Sequence, residues 1–180
     1  RLIDKSDWSS YQKLRLNALK AASESFGSTY EREVKFSEQE IIERISPNSS
    51  KFFMGIFDGK ELIGMVSFHK EIGEKDRHKG DIYGMFIHGD YQNKGLAKLL
   101  LSTLINKVKE EYPDLEQIRL SVVSNNISAV KLYGHLGFEK YGVEINALKT
   151  GDKYFDEDLM VQLVNIIENI CFNKKAAMNY

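Results

Sequence analysis

The stretch "YQNKGLAKLLL", residues 91–101, begins a predicted helix in an unusual way. Its first turn contains Gly95, which weakens a helix, and the lysines Lys94 and Lys98, although acidic side chains are the ones that stabilise this end of the helix dipole. In one interpretation Asp90 caps the helix and Gly95 is incidental. In the other, the helix start presents its backbone N–H groups to an external anion, which the glycine allows to approach closely and the lysines attract.

The neighbouring residues limit the choice of anion. The Walker phosphate loop and the Gly-x-Gly-x-x-Gly dinucleotide fingerprint are both absent from the sequence. What is present is Gln92-x-x-Gly95-x-Ala97, directly after "IYGMFIH", residues 82–88, whose residues are typical of a strand. On its own this short pattern is compatible with both interpretations of the helix start.

Length and composition exclude several classes of protein. The chain has 180 residues, which fits a single domain, and its formal net charge of −1 does not favour binding to nucleic acid or to a membrane surface. A single cysteine, Cys171, and four histidines without His-x-x-x-His spacing argue against a disulfide framework and against a metal site. No apolar run reaches the roughly 18 to 20 residues of a membrane helix, and Asp4 and Asp7 interrupt any signal-peptide pattern. We therefore expect a cytoplasmic protein.

The spacing of the apolar residues predicts alternating helices and strands. Ser37 followed by Glu40 is a capping-box pattern, and Asp58-Gly59 is a hairpin turn between two β-rich runs. The predicted helices lie at about 8–19, 37–45, 91–111 and 126–136. The predicted strands lie at about 51–57, 60–69, 81–87, 117–123, 138–148 and 153–164. Residues 165–180 form a tail that either extends as a helix or is partly disordered.

A second motif adds weight to the anion-site interpretation. From Asn126 the chain reads "NISAVKLYGHLGF", residues 126–138, and together with "MFIHGDYQNKGLAKLL", residues 85–100, it resembles the Gcn5-related N-acetyltransferase (GNAT) superfamily. The two segments lie in the order and separation that this family uses. The resemblance implies an α/β (α+β) fold, with a mixed, mostly antiparallel sheet of six to seven strands, about four flanking helices and a splay between strands four and five. It also implies that residues 1–164 form a single N-acetyltransferase domain.

The resemblance implies that the anion is the pyrophosphate of acetyl-coenzyme A. Gln92 would shape the loop that holds it. Ala97, Asn93 and Gly89 stand where many members have Gly, Gly and Pro, and these departures leave the backbone N–H groups in place. The residues implied to surround the pyrophosphate are Asn93, Lys94, Gly95, Leu96, Ala97 and Lys98.

Other residues are implied to hold the rest of the cofactor. The main-chain groups of Ile87, His88 and Gly89 would pair with the pantetheine arm like an added strand. Asn126 either binds coenzyme A or caps the helix that follows, and the two roles are compatible. Lys131 either reaches the phosphates or is an exposed, solvated lysine.

The candidate acid and base differ in how well the sequence specifies them. By resemblance, Tyr133 lies near the thioester sulfur and acts as general acid; the alternative is an aromatic that packs its helix. Asp81, at the start of a strand, stands where the histone-modifying branch has a glutamate, and it is a candidate base that acts through water. Glu144 and His88 are weaker candidates. Cys171 lies far from both motifs, so we expect direct attack in a ternary complex rather than an acetyl-enzyme.

The acceptor pocket is implied to form between residues 25–36 and residues 144–160. Its candidate residues combine aromatics and carboxylates, which suit a cationic amine, although a solvated charged hairpin explains them equally well. These candidates are Phe26, Tyr30, Tyr154, Asp156 and Glu157.

We therefore predict an acetyl-coenzyme A-dependent N-acetyltransferase that acts on a primary amine of a small molecule, such as a polyamine, an amino-acid-like amine or an antibiotic amine. The alternatives are a protein or peptide amine acetyltransferase and a non-catalytic coenzyme A-binding regulatory domain. A nucleotide-binding protein ranks last. Among partners we expect a small amine and a homodimer, and neither nucleic acid nor a membrane.

Overall fold

The computed structural model describes residues 1–164. The predicted tail and Cys171 lie outside the described residues. The helices are α1 (Trp8–Ala21), α2 (Tyr30–Glu33), α3 (Glu38–Ile45), α4 (Leu96–Glu111) and α5 (Ile127–His135). The strands are β1 (Lys51–Asp58), β2 (Glu61–Lys70), β3 (Lys79–Ile87), β4 (Gln117–Val123), β5 (Glu139–Thr150) and β6 (Lys153–Leu163). Among these residues, no helix is long and apolar enough to cross a membrane.

Local chemistry sets most of these boundaries. The hydroxyl of Ser37 accepts from the backbone N–H of Glu40 and the Glu40 carboxylate accepts from the N–H of Ser37, so α3 begins with the predicted capping box. The side chain of Asn126 caps α5 in the same manner by accepting from the N–H of Ala129. Gly59 has φ 57° in the turn between β1 and β2, a conformation that glycine adopts without strain.

The six strands form one sheet in the order β1-β2-β3-β4-β6-β5. Only β3 and β4 run parallel, and every other neighbouring pair is antiparallel. The predicted mixed, mostly antiparallel sheet is therefore confirmed. Near the N-terminus, Leu2 forms a single bridge to Met54 and no strand. The strand numbering in this structure is therefore lower by one, and the splay expected between strands four and five lies between β3 and β4.

Helices cover both faces of the sheet. Alternate residues of β2 point to opposite faces, so Val66 and Phe68 join the cluster beneath α4, whereas Met65 joins the cluster beneath α1 and α3. Leu101 and Leu104 of α4 are fully buried in the first cluster. Because helices cover both faces, the sheet is held rigidly, and it fixes the positions of β3 and β4, between which the site lies.

Candidate active site

A gap in the sheet between β3 and β4 is the central feature of the site. The two strands pair over three residues, Lys79–Asp81 with Gln117–Arg119, and then diverge, although β3 stays paired to β2 as far as Ile87. From Ile82 to Ile87, the edge of β3 that faces β4 has no strand partner among the described residues. A free strand edge is a surface on which an extended ligand can add as a further strand.

An ion-pair cluster closes the narrow end of this gap. The guanidinium of Arg119 on β4 binds both carboxylate oxygens of Asp81 at 2.9 and 2.7 Å and contacts Glu71 at 2.8 Å. These bonds raise the pKa of Arg119 above its ordinary value, chiefly through Asp81. The structure thus places Asp81, the candidate base, in an ion pair that joins the two strands, and Asp81 does not line the cavity described below.

A β-bulge re-aims the free edge of β3. Val66 of β2 faces two residues of β3, Gly84 and Met85, and Gly84 has φ 65°. A bulge of this type places a glycine in the left-handed region and bends the strand. The glycine inside the strand pattern "DIYGMFI" was the sequence signal for it, and our sequence analysis did not use that signal.

Two residues of the loop before α4 have a left-handed backbone conformation. Gly95 is the N-cap of α4 with φ 76°, and Asn93 has φ 59°. Gln92 shapes this loop, because its side-chain amide donates to the carbonyl of Ile87 at 2.9 Å. Asp90 lies in a short 3₁₀ turn and does not cap α4, so that interpretation of the helix start is wrong.

The six consecutive N–H groups of residues 93–98 have no acceptor among the described residues. The first intramolecular bond of the helix is donated by Leu99 to the carbonyl of Gly95. Orphan donors at a helix start, together with the positive end of its dipole, favour an anion. Lys98 lines the cavity beside them, whereas Lys94 bonds the carbonyl of Asp90 at 2.9 Å.

A cavity of about 920 Å³ runs from this loop through the gap to the segment after α1. The structure brings together on its walls many of the residues that the sequence analysis selected. These are Phe26, Ile87, Gln92, Asn93, Gly95, Leu96, Ala97, Lys98, Asn126, Tyr133 and Glu157. The selected residues that do not line it are Tyr30, Asp81, His88, Gly89, Lys94, Lys131, Glu144, Tyr154 and Asp156.

The residues outside the cavity have other contacts. The N–H of His88 donates to the carbonyl of Ile63, and its ring packs on Tyr91. Lys20 lies 4.1 Å from the ring centre of Tyr30, and Lys149 lies 4.9 Å from that of Tyr154. Asp156 accepts from the backbone N–H of Asn146 at 2.8 Å.

Tyr133 lies where α5 meets the cavity. Its side chain is buried, its ring packs edge-on against Phe138 with centroids 6.0 Å apart, and its hydroxyl has no hydrogen-bond partner in the described residues. Burial raises the pKa of Tyr133 to about 12. The hydroxyl therefore stays protonated at neutral pH and is available as a donor to a group in the cavity.

His69 is a cavity residue that the sequence analysis did not select as a site residue. It lies on β2, and its ring contacts those of Phe53 and Tyr83 at 5.8 and 5.3 Å. Burial lowers the pKa of His69, and the charges of Lys51 and Arg44 lower it further, against an opposing effect of the Asp81 carboxylate. The imidazole is therefore neutral near pH 7 and can accept a proton. Only the register of β2 in the folded sheet shows that this histidine faces the cavity.

The comparisons with known proteins agree with this geometry. The acetyltransferase (GNAT) family matches residues 16–138, so the chain belongs to that family. A spermine/spermidine N(1)-acetyltransferase of Bacillus subtilis is 36% identical over 93 residues, which are 49% of this chain and 60% of the relative. The match covers about 60% of the length of this relative and of a probable spermine N(1)-acetyltransferase of Bacillus subtilis subsp. natto.

Solved structures match over more of the chain. A GNAT-family acetyltransferase from Streptococcus pneumoniae has a TM-score of 0.81 at 22% identity and covers 91% of this chain and 98% of its own. A ribosomal L7/L12 alpha-N-protein acetyltransferase, solved in complex with coenzyme A, has a TM-score of 0.74 at 17% identity, with 92% and 93% covered. At these identities the likeness confirms the fold.

Proposed function

We propose that the protein is an N-acetyltransferase that transfers the acetyl group of acetyl-coenzyme A to a primary amine of a small molecule, by direct attack in a ternary complex. The observation that supports this most strongly is the continuity of the cavity. It joins the unpaired N–H groups at the start of α4, the free edge of β3 and the side chain of Tyr133. Family membership supports the same reaction.

The residues present fit coenzyme A. The N–H groups of residues 93–98 form an anion site without a protein acceptor, and Lys98 adds positive charge beside it. The free edge of β3 between Ile82 and Ile87 offers backbone donors and acceptors to the amide-containing pantetheine arm. Asn126 caps α5 and lines the same cavity, so both of its predicted roles fit the geometry. When bound, acetyl-coenzyme A supplies an acetyl group activated as a thioester.

Tyr133 is the proposed proton donor. Its Oη is protonated at neutral pH and has no competing hydrogen-bond partner in residues 1–164. The same burial raises the proton affinity of a leaving sulfur beside it, because a thiolate is also disfavoured in an apolar environment. General acid catalysis of this kind contributes about 10²- to 10⁴-fold to a rate.

His69 is the proposed proton acceptor. An alkyl ammonium has a pKa near 10.4, so it must lose a proton before its nitrogen can attack. The neutral imidazole of His69 lines the cavity with Arg44 and Phe26, on the side away from the pyrophosphate loop. Asp81, the earlier candidate, is held by Arg119, and for this reason we assign the proton to His69, directly or through water.

The acceptor class rests on the cavity and on the relatives. Two of the curated relatives are named as spermine or spermine/spermidine acetyltransferases, which supports a small amine as the acceptor. A non-catalytic coenzyme A-binding domain is the alternative in which the same cavity binds cofactor without turnover. We also keep a homodimer as a proposal, to be tested by the solution mass of the protein.

The test measures coenzyme A thiol released from acetyl-coenzyme A in the presence of a panel of small amines. We expect thiol release that depends on the amine, and Tyr133→Phe to lower kcat by about 10²- to 10⁴-fold without loss of fold. Tyr141→Phe is the matched control, because Tyr141 is an exposed tyrosine on β5. Binding of acetyl-coenzyme A without thiol release with any amine or peptide would establish the regulatory alternative. Equal affinity for ATP and for coenzyme A would contradict the cofactor assignment.

A further inference from the structure

Two arginines from different helices lie at the end of the cavity that is remote from the loop of residues 92–98. Arg15 lies on α1 and Arg44 near the end of α3, and both line the cavity beside Phe26 and Ser28. The Arg15 guanidinium is also stacked over the ring of Phe26, 4.7 Å from its centre. We call Arg15 and Arg44 the arginine pair.

One buried carboxylate lies behind the arginine pair. Glu33 accepts from Nε and Nη2 of Arg15 at 2.9 and 2.8 Å, and Nη1 of Arg44 lies 2.9 Å from the same carboxylate. The Glu33 side chain is 0% exposed and does not line the cavity, whereas that of Arg44 is 35% exposed. Burial by itself would raise the pKa of Glu33, but bonds from Arg15 and Ser28 and the charge of Arg44 together lower it, so Glu33 is ionised. Two guanidiniums share one negative charge, and the cluster keeps a net charge of +1.

The rest of the cavity wall does not neutralise this charge. Among the described residues, the charged side chains that line it are the arginine pair, Lys51, Lys98 and one acid, Glu157. Lys51 binds the carbonyls of Glu43 and Arg44 at 3.1 and 3.0 Å and adds its charge next to the pair. A polycation entering this end would meet like charge, whereas an anionic group would meet a set of fixed donors.

From this arrangement we propose that the acceptor carries a carboxylate as well as its amine, in the manner of an amino acid, and that the arginine pair binds the carboxylate. Glu33 holds both guanidiniums in place, so they need little reorganisation to bind the carboxylate of the acceptor. The one ion pair of Arg44 in the described residues uses Nη1, which leaves donors of a planar guanidinium for a second carboxylate. The inference rests on the proposed acetyl transfer and names its substrate class, in contrast to a polyamine.

The test compares acceptors that differ only in the carboxylate. Lysine is compared with cadaverine, ornithine with putrescine, and both pairs with spermidine, by kcat/KM for thiol release. A charge-assisted bond of the expected kind makes the carboxylated member of each pair about 10- to 100-fold better. Arg44→Gln should remove most of that preference, by raising KM for the carboxylated member of each pair much more than for the decarboxylated amine. Arg32→Gln is the matched control, since Arg32 is an exposed arginine on the neighbouring α2 that does not line the cavity.

A second measurement does not depend on turnover. Binding of each acceptor to the protein saturated with coenzyme A is followed by calorimetry, in wild type, Arg44→Gln and Arg44→Lys. The lysine variant keeps the charge and loses the planar fork, so it should recover part of the affinity for the carboxylated acceptor. Equal binding of both members of each pair, or tighter binding of spermidine, would overturn the inference. Thiol release with amines but without a carboxylate preference would overturn it while leaving the proposed acetyl transfer intact.

Discussion

Replacing Gly95 by alanine tests the conformation on which the anion site depends. Gly95 has φ 76° and ψ 0°, and a Cβ built there would meet no atom within 4 Å, so the change introduces backbone strain without a clash. The left-handed region costs an L-residue about 1–2 kcal/mol relative to glycine. We expect Gly95→Ala to lower Tm by about 2–8 °C, because each kcal/mol shifts Tm by about 2–4 °C in a chain of this size.

The backbone strain of Gly95→Ala can also reduce the affinity for acetyl-coenzyme A. If alanine moves the free loop out of the left-handed region, stability is partly recovered, but acetyl-coenzyme A must then restore the original conformation on binding. The affinity would fall by up to about 5- to 30-fold, which is the same 1–2 kcal/mol. The loss of stability and the loss of affinity, measured by scanning calorimetry and titration calorimetry, should together account for the strain.

Gly134 provides the matched control. It also leaves open space around an added Cβ, but it is an exposed residue of α5 with an ordinary helical φ. Alanine there should stabilise the protein by about 0.5–1 kcal/mol, since glycine is unfavourable within a helix. The two substitutions add the same atom and should shift Tm in opposite directions. A Gly95→Ala protein with unchanged Tm and unchanged affinity would refute the argument that this glycine holds the loop open.

Three further predictions concern titratable side chains. Asp81→Asn should cost about 1–3 kcal/mol of stability by weakening the Arg119 ion pair and leave kcat within about twofold, whereas a fall of 10² or more would restore Asp81 as the base. In wild type kcat/KM should rise with pH through the lowered pKa of His69, as the imidazole becomes neutral. His69→Gln should abolish this acidic limb of the pH profile. His135→Gln, which changes an exposed histidine of α5, should keep it. Glu33→Gln should cost about 3–5 kcal/mol in urea unfolding at pH 7, because it leaves two guanidiniums without their buried partner. Since the folded pKa of Glu33 is lowered, its contribution is complete above the unfolded pKa and is lost as pH falls through the folded pKa, so the variant and wild type should converge in acid. A constant difference at all pH values would contradict the assigned ionisation of Glu33.

The parts of the fold that the sequence predicted are those fixed by neighbouring residues. The capping box at Ser37 and the Asn126 cap are contacts across three positions, and the Asp58-Gly59 turn joins adjacent strands. The end of α4 at Glu111 and the bounds of β4 follow from apolar periodicity in the same way. In each case the stabilising partner lies within a few residues, so the local pattern contains most of the information.

Most candidate residues taken from a contiguous motif line the cavity, whereas most of those chosen outside such a motif do not. Tyr133 and, apart from Lys94, all of residues 92–98 line the cavity. Tyr154 and Asp156 carry suitable chemistry, but their place in β6 directs them to contacts with Lys149 and Asn146. A strand alternates its faces, and residue types alone do not specify which face meets the cavity.

The sequence by itself thus determined the family, and it identified the helix start at Gly95 as the candidate anion site and Tyr133 as the candidate acid. Only the tertiary structure decided that Asp81 joins two strands through Arg119, 38 residues away, and that His69 faces the cavity. Only the tertiary structure also brought Arg15 and Arg44, from two helices, to one buried Glu33. The physical reason is that burial and charge pairing depend on which distant segments share a wall, and that is set by the packing of the sheet and its helices rather than by any one stretch of the chain.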